Sequence, residues 1–170
     1  RAHMVGGING GNALCARRRH KKGGLEVMSA ERLGARYPQA ERGAISQHIS
    51  WTRKVREGHT SNSTKTVDTA EFILREKDRL VLKPNDEYGG KGIVLGWEVS
   101  DQEWRSSIET ALAEPYIVQQ RIPLPKEPYP SLVNGRVEFA ERMVDTAPYV
   151  AGGTYLDGCP SRLGTPPRSL

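Results

Sequence analysis

The chain has 170 residues, of which 36% are hydrophobic, and its formal net charge is +5. This length fits one domain of ordinary size or a truncated larger one. No apolar run approaches the roughly 20 residues that a membrane-spanning helix needs, and no stretch near the N-terminus has the apolar character of a signal peptide. We therefore expect a protein that resides in the cytoplasm and does not enter a membrane.

The net positive charge of the chain comes from its N-terminal end. Residues 1–24 contain six of the 25 basic residues and none of the 20 acidic ones, so the rest of the chain is close to neutral. The run ARRRHKK at 16–22 favours a solvated, disordered tail. Nucleic-acid binding through this run is an alternative. The rest of the chain disfavours nucleic-acid binding, because it is close to neutral and lacks a pattern of basic and aromatic residues.

Residues 25–78 are predicted to form a helical N-terminal part. Leu25, Met28 and Leu33 predict a weak helix over 25–37, and apolar residues at helical spacing predict another over 39–49, with His48 on its buried side. Residues 50–66, SWTRKVREGHTSNSTKT, are predicted to be a polar connector.

The clearest pattern begins at Arg79. Residues 80–83 (LVLK) predict a strand, residues 85–92 (NDEYGGKG) a turn, and residues 93–99 (IVLGWEV) a second strand. Turn residues between two apolar runs indicate a β-hairpin. The glycines are therefore expected to join two antiparallel strands.

A helix is predicted next, because Ser100 and Glu103 form a capping box and apolar residues follow at helical spacing from Trp104. After Pro115, residues 116–122 predict a third strand and the prolines at 123–130 predict a loop. Residues 133–135 (VNG) predict a turn, and residues 136–145 predict a fourth strand.

The glycine-rich hairpin has the features of a phosphate-binding loop. Glycines leave backbone N–H groups accessible, and Lys83 and Lys91 supply positive charge. Neither the GxxxxGK[ST] pattern nor the GxGxxG pattern is present, which sets aside the two commonest phosphate-binding motifs. On spacing alone, a plain turn is the more frequent outcome. However, a strand with a lysine, a glycine hairpin, a strand, a helix and a further strand follow in the order of an ATP-grasp nucleotide site.

The sequence resembles the circularly permuted ATP-grasp family, which includes glutathionylspermidine-synthase-like proteins. The similarity covers roughly residues 20–165. The segments that carry it are LVLKPNDEYGGKGIVLGWE at 80–98, PYIVQQRIPLPKEPYPS at 115–131, HKK at 20–22, AISQHISWTRKVREG at 44–58, and RMVDTAPYVAGGTYLDGCPSRL at 142–163.

The resemblance implies an α+β fold of the ATP-grasp type, in which an antiparallel sheet carries the glycine-rich hairpin and helices flank it. Residues 25–78 would be the helical part of this region and residues 79–165 its nucleotide-binding core. Residues 1–24 would precede the region as a disordered segment, and residues 166–170 would follow it as an irregular tail.

The resemblance also implies roles for individual residues in binding ATP. Lys83 would reach the phosphates, with Lys22 as a second lysine, and the hinge at Gln119, Gln120 and Ile122 would meet the adenine. Glu127 would accept from the ribose hydroxyls. The loop folding over the β- and γ-phosphates would be formed by Gly89, Gly90, Lys91 and Gly92.

The apolar residues beside the loop have two interpretations. Leu82, Ile93, Leu95 and Ile117 are hypothesised to sandwich the adenine. Equally, they are hypothesised to be ordinary strand core, and the two interpretations are compatible.

The reaction of this family requires groups from the C-terminal part of the chain. The resemblance assigns Arg162 a catalytic contact with the transferring phosphate, and Asp145 and Asp157 are candidate ligands for Mg²⁺, which prefers oxygen. Each aspartate is alternatively a turn or surface acid. After RLGT the chain ends in PPRSL, where the family continues with an asparagine and glycines. We therefore expect a nucleotide-binding fragment that is truncated at its C-terminal end.

The function implied for the intact protein is ATP-dependent ligation of a carboxylate to an amine or thiol through an acyl phosphate. The sequence does not identify these substrates. A non-catalytic nucleotide-binding or interaction domain is the alternative, because the metal-binding end of the family pattern is incomplete here.

Overall fold

The computed structural model describes residues 21–30, 36–62, 65–151 and 154–164. The tail predicted at 166–170 and most of the disordered segment predicted at 1–24 lie outside these residues. Residues 31–35, within the helix predicted over 25–37, lie outside them as well. The chain divides into two compact units, with the boundary between Arg121 and Ile122, and each unit is described by itself.

The first unit contains four helices, two short 3₁₀ helices and six strands, and the second unit contains three strands, among the described residues. In chain order these are α1 (Gly24–Ser29), α2 (Gln39–His48), β1 (Thr52–Lys54), β2 (His59–Asn62), β3 (Lys65–Asp68), α3 (Thr69–Arg75), a 3₁₀ helix (Lys77–Arg79), β4 (Leu80–Pro84), β5 (Val94–Leu95), a second 3₁₀ helix (Gly96–Glu98), α4 (Asp101–Ala113), β6 (Tyr116–Gln120), β7 (Lys126–Val133), β8 (Arg136–Ala151) and β9 (Thr154–Gly164).

The strands form three antiparallel sheets. The largest has the order β1-β6-β4-β5, β2 pairs with β3, and the third sheet has the order β7-β8-β9. The structure thus confirms a mixed α+β fold with antiparallel sheets. It also confirms the predicted hairpin, because β4 pairs with β5 across the glycine loop.

One face of the four-stranded sheet forms the hydrophobic core with α3 and α4. Leu80 and Leu82 on β4 and Val118 on β6 are buried on this face. Side chains alternate between faces along a strand, so Ile117 lies on the opposite face, where it is also fully buried. The helical residues that complete the core are Phe72, Ile73, Trp104, Ile108 and Ala111.

The N-terminal region contains more strand than predicted. Residues 50–66, predicted to be a connector, include β1, β2 and the start of β3. These strands were not predicted because their sequence lacks apolar alternation, and polar side chains form hydrogen bonds between them instead. For example, Trp51 Nε1 donates to Ser61 O at 2.8 Å, and the buried Arg53 donates to both Thr60 and Ser61. His48 was expected to be buried on α2, but its side chain is exposed.

The loop predicted over residues 123–130 is confirmed only for residues 123–125, because β7 covers Lys126–Val133. Among the described strands β7 pairs only with β8. Proline is tolerated on such an edge strand, where its missing N–H breaks no ladder hydrogen bond. The predicted turn is confirmed, since Asn134 and Gly135 both have positive φ angles, of 50° and 76°.

The second unit is thin, and none of its side chains with a described position is buried. Three apolar side chains near the β7–β8 turn are strongly exposed: Leu132 at 76%, Val137 at 64% and Phe139 at 71%. Within the part of the chain that the structure describes, no helix combines the length and the apolar character needed to cross a bilayer.

The capping box of α4 has the predicted geometry. Ser100 Oγ accepts from the Glu103 N–H at 3.2 Å, and Glu103 Oε2 accepts from the Ser100 N–H at 2.9 Å. We expect Ser100→Ala to lower the free energy of unfolding by about 1 kcal/mol, the usual loss for an N-cap. Chemical denaturation measures this change.

Ser106→Ala in the same helix is the matched control, because Ser106 is exposed and does not cap the helix. Alanine has a higher helix propensity than serine, so this variant should be as stable as the wild type or more stable by roughly a few tenths of a kcal/mol. Equal effects of the two substitutions would contradict a capping role for Ser100.

Candidate phosphate-binding site

The loop between β4 and β5 requires glycine at three positions. Gly89, Gly90 and Gly92 have φ angles of +64°, +82° and +69°, a region that residues with side chains rarely adopt. The N–H groups of Lys91 and Ile93 are used within the loop, where each donates to a carbonyl at 3.3 Å. The N–H groups of the three glycines have no acceptor among the described residues. The loop therefore contains backbone N–H donors that are not used by other groups of the described residues.

Two of the glycines face open space, and the third is tightly packed. A Cβ on Gly89 or Gly90 would meet nothing within 4 Å. A Cβ on Gly92 would lie 2.7 Å from Pro84 Cγ and 3.0 Å from the Tyr116 hydroxyl. Gly92 thus attaches the end of the loop to the sheet, while Gly89 and Gly90 leave its tip accessible.

Lys83 lies on β4, immediately before the loop. It is paired with Ile117 on β6, so its side chain lies on the sheet face opposite α3 and α4. Lys83 Nζ donates to Gln119 Oε1 at 2.7 Å. Partial burial lowers the pKa of Lys83 from its ordinary value of 10.5, and the positive charge of Lys22 lowers it further.

The structure brings Lys22 to the same place from 61 positions earlier in the chain. Its N–H donates to Asn85 O at 3.1 Å, and its Nζ donates to Glu87 O at 2.6 Å. The Gly23 N–H donates to Asn85 Oδ1 at 2.8 Å. Asn85, the first residue of the loop, therefore fixes the segment that carries Lys22.

Lys54 is a third lysine on this face, and the sequence prediction missed it. Lys54 and Lys83 are both cross-strand neighbours of Ile117, from opposite sides, and the end of the Lys54 side chain passes beside Gly23. The sequence signal for Lys54 was its spacing of two residues from Thr52, which places both side chains on one face of a strand. This signal was missed because a three-residue polar strand resembles a loop in sequence.

The lysines around the loop differ in their partners. Lys21 pairs with Asp86 at 2.8 Å, and Lys91 lies 3.7 Å from Glu87. By contrast, Lys22 and Lys83 donate to neutral oxygens, and neither has a carboxylate partner among the described residues. Their two charges are close enough to affect each other, so an anion placed between them would be attracted by both.

Gln119 and Gln120 of the predicted hinge are the last two residues of β6. Gln119 lies within β6, with β1 on one side and β4 on the other, and it contacts Lys83 through its side chain. The Gln120 N–H donates to Trp51 O at 2.9 Å. Both residues therefore already form hydrogen bonds within the protein, Gln119 through its side chain and Gln120 through its backbone N–H.

The suggestion that four apolar residues sandwich an adenine is wrong in part. Leu82 is buried in the core with the helices, whereas Ile117 and Leu95 lie on the opposite face. Leu82 therefore lines a different surface, as the alternation of side chains along β4 and β6 requires. Ile93 is 37% exposed beside the loop.

Five of the predicted site residues belong to the second unit. Ile122 is 57% exposed, Glu127 on β7 pairs with Arg142 across the strands, and Asp145 pairs with Arg162 in the β8–β9 register. The remaining residue, Asp157, pairs with Tyr149.

The register also decides whether the two aspartates can share a Mg²⁺ ion. The partner of Asp157 on β8 is four residues beyond Asp145, a separation of about 13 Å along the strand. Carboxylates that bind one Mg²⁺ place their oxygens about 2.1 Å from it, which these two cannot do together. Among the described residues no three His, Cys, Asp or Glu side chains cluster as metal ligands.

No model of a known protein family matches the sequence, and no curated protein matches it at a significant level. The site is therefore assigned from its geometry. One surface depression of the first unit lies beside Trp51 and Phe72, and another lies between β5 and α4. Lys83 lines neither of these two.

Substitution of two loop glycines tests this geometry. Gly90→Ala imposes only a left-handed conformation on alanine, which costs about 1 kcal/mol. Gly92→Ala adds the clash with Pro84 and Tyr116, and overpacking typically costs a further ~1–3 kcal/mol. Chemical denaturation should therefore show Gly92→Ala to be clearly the less stable of the two. Equal stability would mean that Gly92 is not packed against the strand ends.

Proposed function

We propose that the chain binds ATP through its phosphates, at the surface formed by Lys22, Lys83 and the loop from Gly89 to Gly92. The observation that carries this proposal is the pair of neighbouring lysines, each held by a neutral oxygen. Two like charges brought together with one partly buried are unfavourable in the absence of an anion. A phosphate group would relieve this repulsion.

The loop supplies what the lysines lack. A triphosphate has many acceptor oxygens, and backbone N–H groups of glycines bind them without steric hindrance. The open tip at Gly89 and Gly90 fits this role. The residues present therefore fit the phosphates of a nucleotide, with Lys22 and Lys83 providing charge and the loop providing directed hydrogen bonds.

We further propose that the chain belongs to an ATP-grasp ligase of the carboxylate–amine or carboxylate–thiol type. Support comes from the resemblance of residues 80–98 and 115–131 and from the α+β fold with the expected hairpin. Bound ATP would supply the phosphoryl group that activates the carboxylate. In the protein, Lys22, Lys83 and the loop would bind and orient the phosphates. The resemblance assigns the contact with the transferred phosphate to Arg162.

A non-catalytic nucleotide-binding domain is the second candidate, and a specific observation favours it. Asp145 and Asp157 are separated by about 13 Å along the strands, which is too far for the two to hold one Mg²⁺ ion together, so we assign no catalytic step to a metal bound by this pair.

Removing the charge of Lys83 tests nucleotide binding directly. A hydrogen bond to a charged group contributes about 1.5–3 kcal/mol, so Lys83→Ala should weaken binding of a non-hydrolysable ATP analogue by about 10- to 100-fold. Calorimetric titration measures this affinity. Lys65→Ala, at an exposed lysine on β3, is the matched control and should bind as the wild type does. Unchanged affinity in Lys83→Ala would exclude the proposed site.

The pH dependence of binding provides a second test. Only a protonated lysine attracts phosphate, so affinity should be high below the pKa of Lys83 and fall as the pH rises through it. Because that pKa is lowered from 10.5, the fall should begin at a lower pH than for an exposed lysine. Lys83→Arg stays charged throughout, and the part of the fall due to Lys83 should disappear in this variant.

Mg²⁺-dependent turnover distinguishes the two candidate functions. The chain is incubated with ATP, Mg²⁺ and a panel of carboxylic acids, amines and thiols, and release of phosphate and ADP is measured. Product formation that is lost in Lys83→Ala would support the ligase. Nucleotide binding that is indifferent to Mg²⁺, without turnover, would support the non-catalytic domain.

A further inference from the structure

A directed chain of hydrogen bonds leads from Lys83 across the sheet. Lys83 Nζ donates to Gln119 Oε1 at 2.7 Å, Gln119 Nε2 donates to Thr52 Oγ1 at 3.0 Å, and Thr52 Oγ1 donates to Ser50 O at 2.9 Å. Gln119 is 8% exposed and Thr52 is fully buried. The three side chains come from β4, β6 and β1, so the chain of bonds spans three adjacent strands.

The direction of these bonds fixes the orientation of the Gln119 amide. A lysine ammonium is only a donor, so it must face the carbonyl oxygen and not the NH₂ group. The Thr52 hydroxyl donates its own hydrogen bond to Ser50 O, so its oxygen is available to accept from the Gln119 NH₂ group. Rotation of the amide by 180° would break the bond to Lys83, because it would turn donors toward the ammonium.

We propose that Gln119, held in one orientation by Thr52, is a positioning residue that fixes the Lys83 ammonium beside Lys22 without neutralising its charge. This inference rests on the proposed function for its purpose, since a lysine with a neutral partner keeps its charge for a phosphate. A carboxylate at the same position would pair with Lys83 and compete with the ligand.

The charged groups around Lys83 come from every element near it. Lys22 lies before α1, Lys54 lies on the same face of β1, and Asp86 and Glu87 lie in the loop. The two acids pair with Lys21 and Lys91. Gln119 is thus the neutral acceptor that the described residues place directly on the Lys83 ammonium.

Gln119→Glu is the decisive variant, because it keeps the size of the side chain and adds a negative charge. We expect it to weaken binding of the non-hydrolysable ATP analogue by about tenfold or more, and to shift the pH-dependent loss of affinity upward, because a neighbouring carboxylate raises the pKa of a lysine. Gln102→Glu adds the same charge at an exposed position on α4 and should change neither property.

Thr52→Val tests the orientation of the amide without changing the charge. It removes the acceptor of Gln119 Nε2 and should weaken binding by about three- to tenfold, a loss of one neutral hydrogen bond. Thr66→Val, at an exposed position on β3, is its control. Thermal denaturation verifies that each variant is folded.

The titration of Lys83 in the ligand-free protein separates this inference from the proposed function. The ¹³Cε resonance of Lys83, assigned by its loss in Lys83→Arg, is followed against pH in the wild type and in Gln119→Glu. A higher pKa in Gln119→Glu confirms the contact, and an unchanged pKa overturns the inference. If the contact is confirmed but the wild-type protein binds no nucleotide, the proposed function is wrong and the positioning of Lys83 still stands.

If the wild type binds and Gln119→Glu binds equally well, the inference is overturned while the nucleotide site remains. If Gln119→Glu binds weakly, Thr52→Val binds less tightly than Thr66→Val, and the pH profile shifts upward, Gln119 positions Lys83 for the phosphate. A loss of affinity without any change in the pH profile would indicate a purely structural role for Gln119 and would also overturn the inference.

Discussion

The register of β6 between β1 and β4 is the constraint on which the fold and the candidate site both depend. In this register Leu82 and Val118 face the helices, while Lys83 and Gln119 lie together on the opposite face. A slip of one residue would exchange the two faces of a strand. In β6 it would turn Gln119 toward the helices and Val118 toward the face of Lys83, so burial of the core and the contact between Gln119 and Lys83 depend on the same pairing. The geometry of the candidate site is therefore set by β4 and β6, whose residues Leu82, Ile117 and Val118 are fully buried.

Electrostatics sets the site apart from the rest of the surface. Elsewhere around the loop, lysines are matched with acids, which is the usual arrangement of exposed charges. Lys22 and Lys83 instead share a small region, with neutral acceptors on each. Such an arrangement contributes little to stability, because burial and like charge both oppose it. An anion at this position would relieve the repulsion between the two lysines, which is the physical basis of the proposed site. Stability and the proposed binding of phosphate thus make opposite demands on these residues.

The second unit presents a different physical problem. Its hairpin of β7 and β8 exposes Leu132, Val137 and Phe139 on one face. Pro128 and Pro130 lie on β7, an edge strand, where they oppose pairing with a further strand. The edge is therefore protected from association, whereas the apolar face is not. Asp145 lies on β8, and Asp157 and Arg162 lie on β9. The separation of the two aspartates along these strands prevents them from holding one metal ion together.

Local patterns in the sequence were sufficient for part of this structure. The capping box at Ser100 and Glu103, the strands around Leu82 and Val118 and the glycine hairpin all follow from short-range rules, because caps, turns and apolar periodicity act over a few residues. The strands β1 and β2 escaped prediction, since polar hydrogen bonds in place of apolar alternation hold them together. Only the tertiary structure placed Lys22 and Lys54 near Lys83, and Gln119 between Lys83 and Thr52. Those contacts join segments more than 25 residues apart in the chain, and they arise from sheet register and packing, which no local pattern encodes.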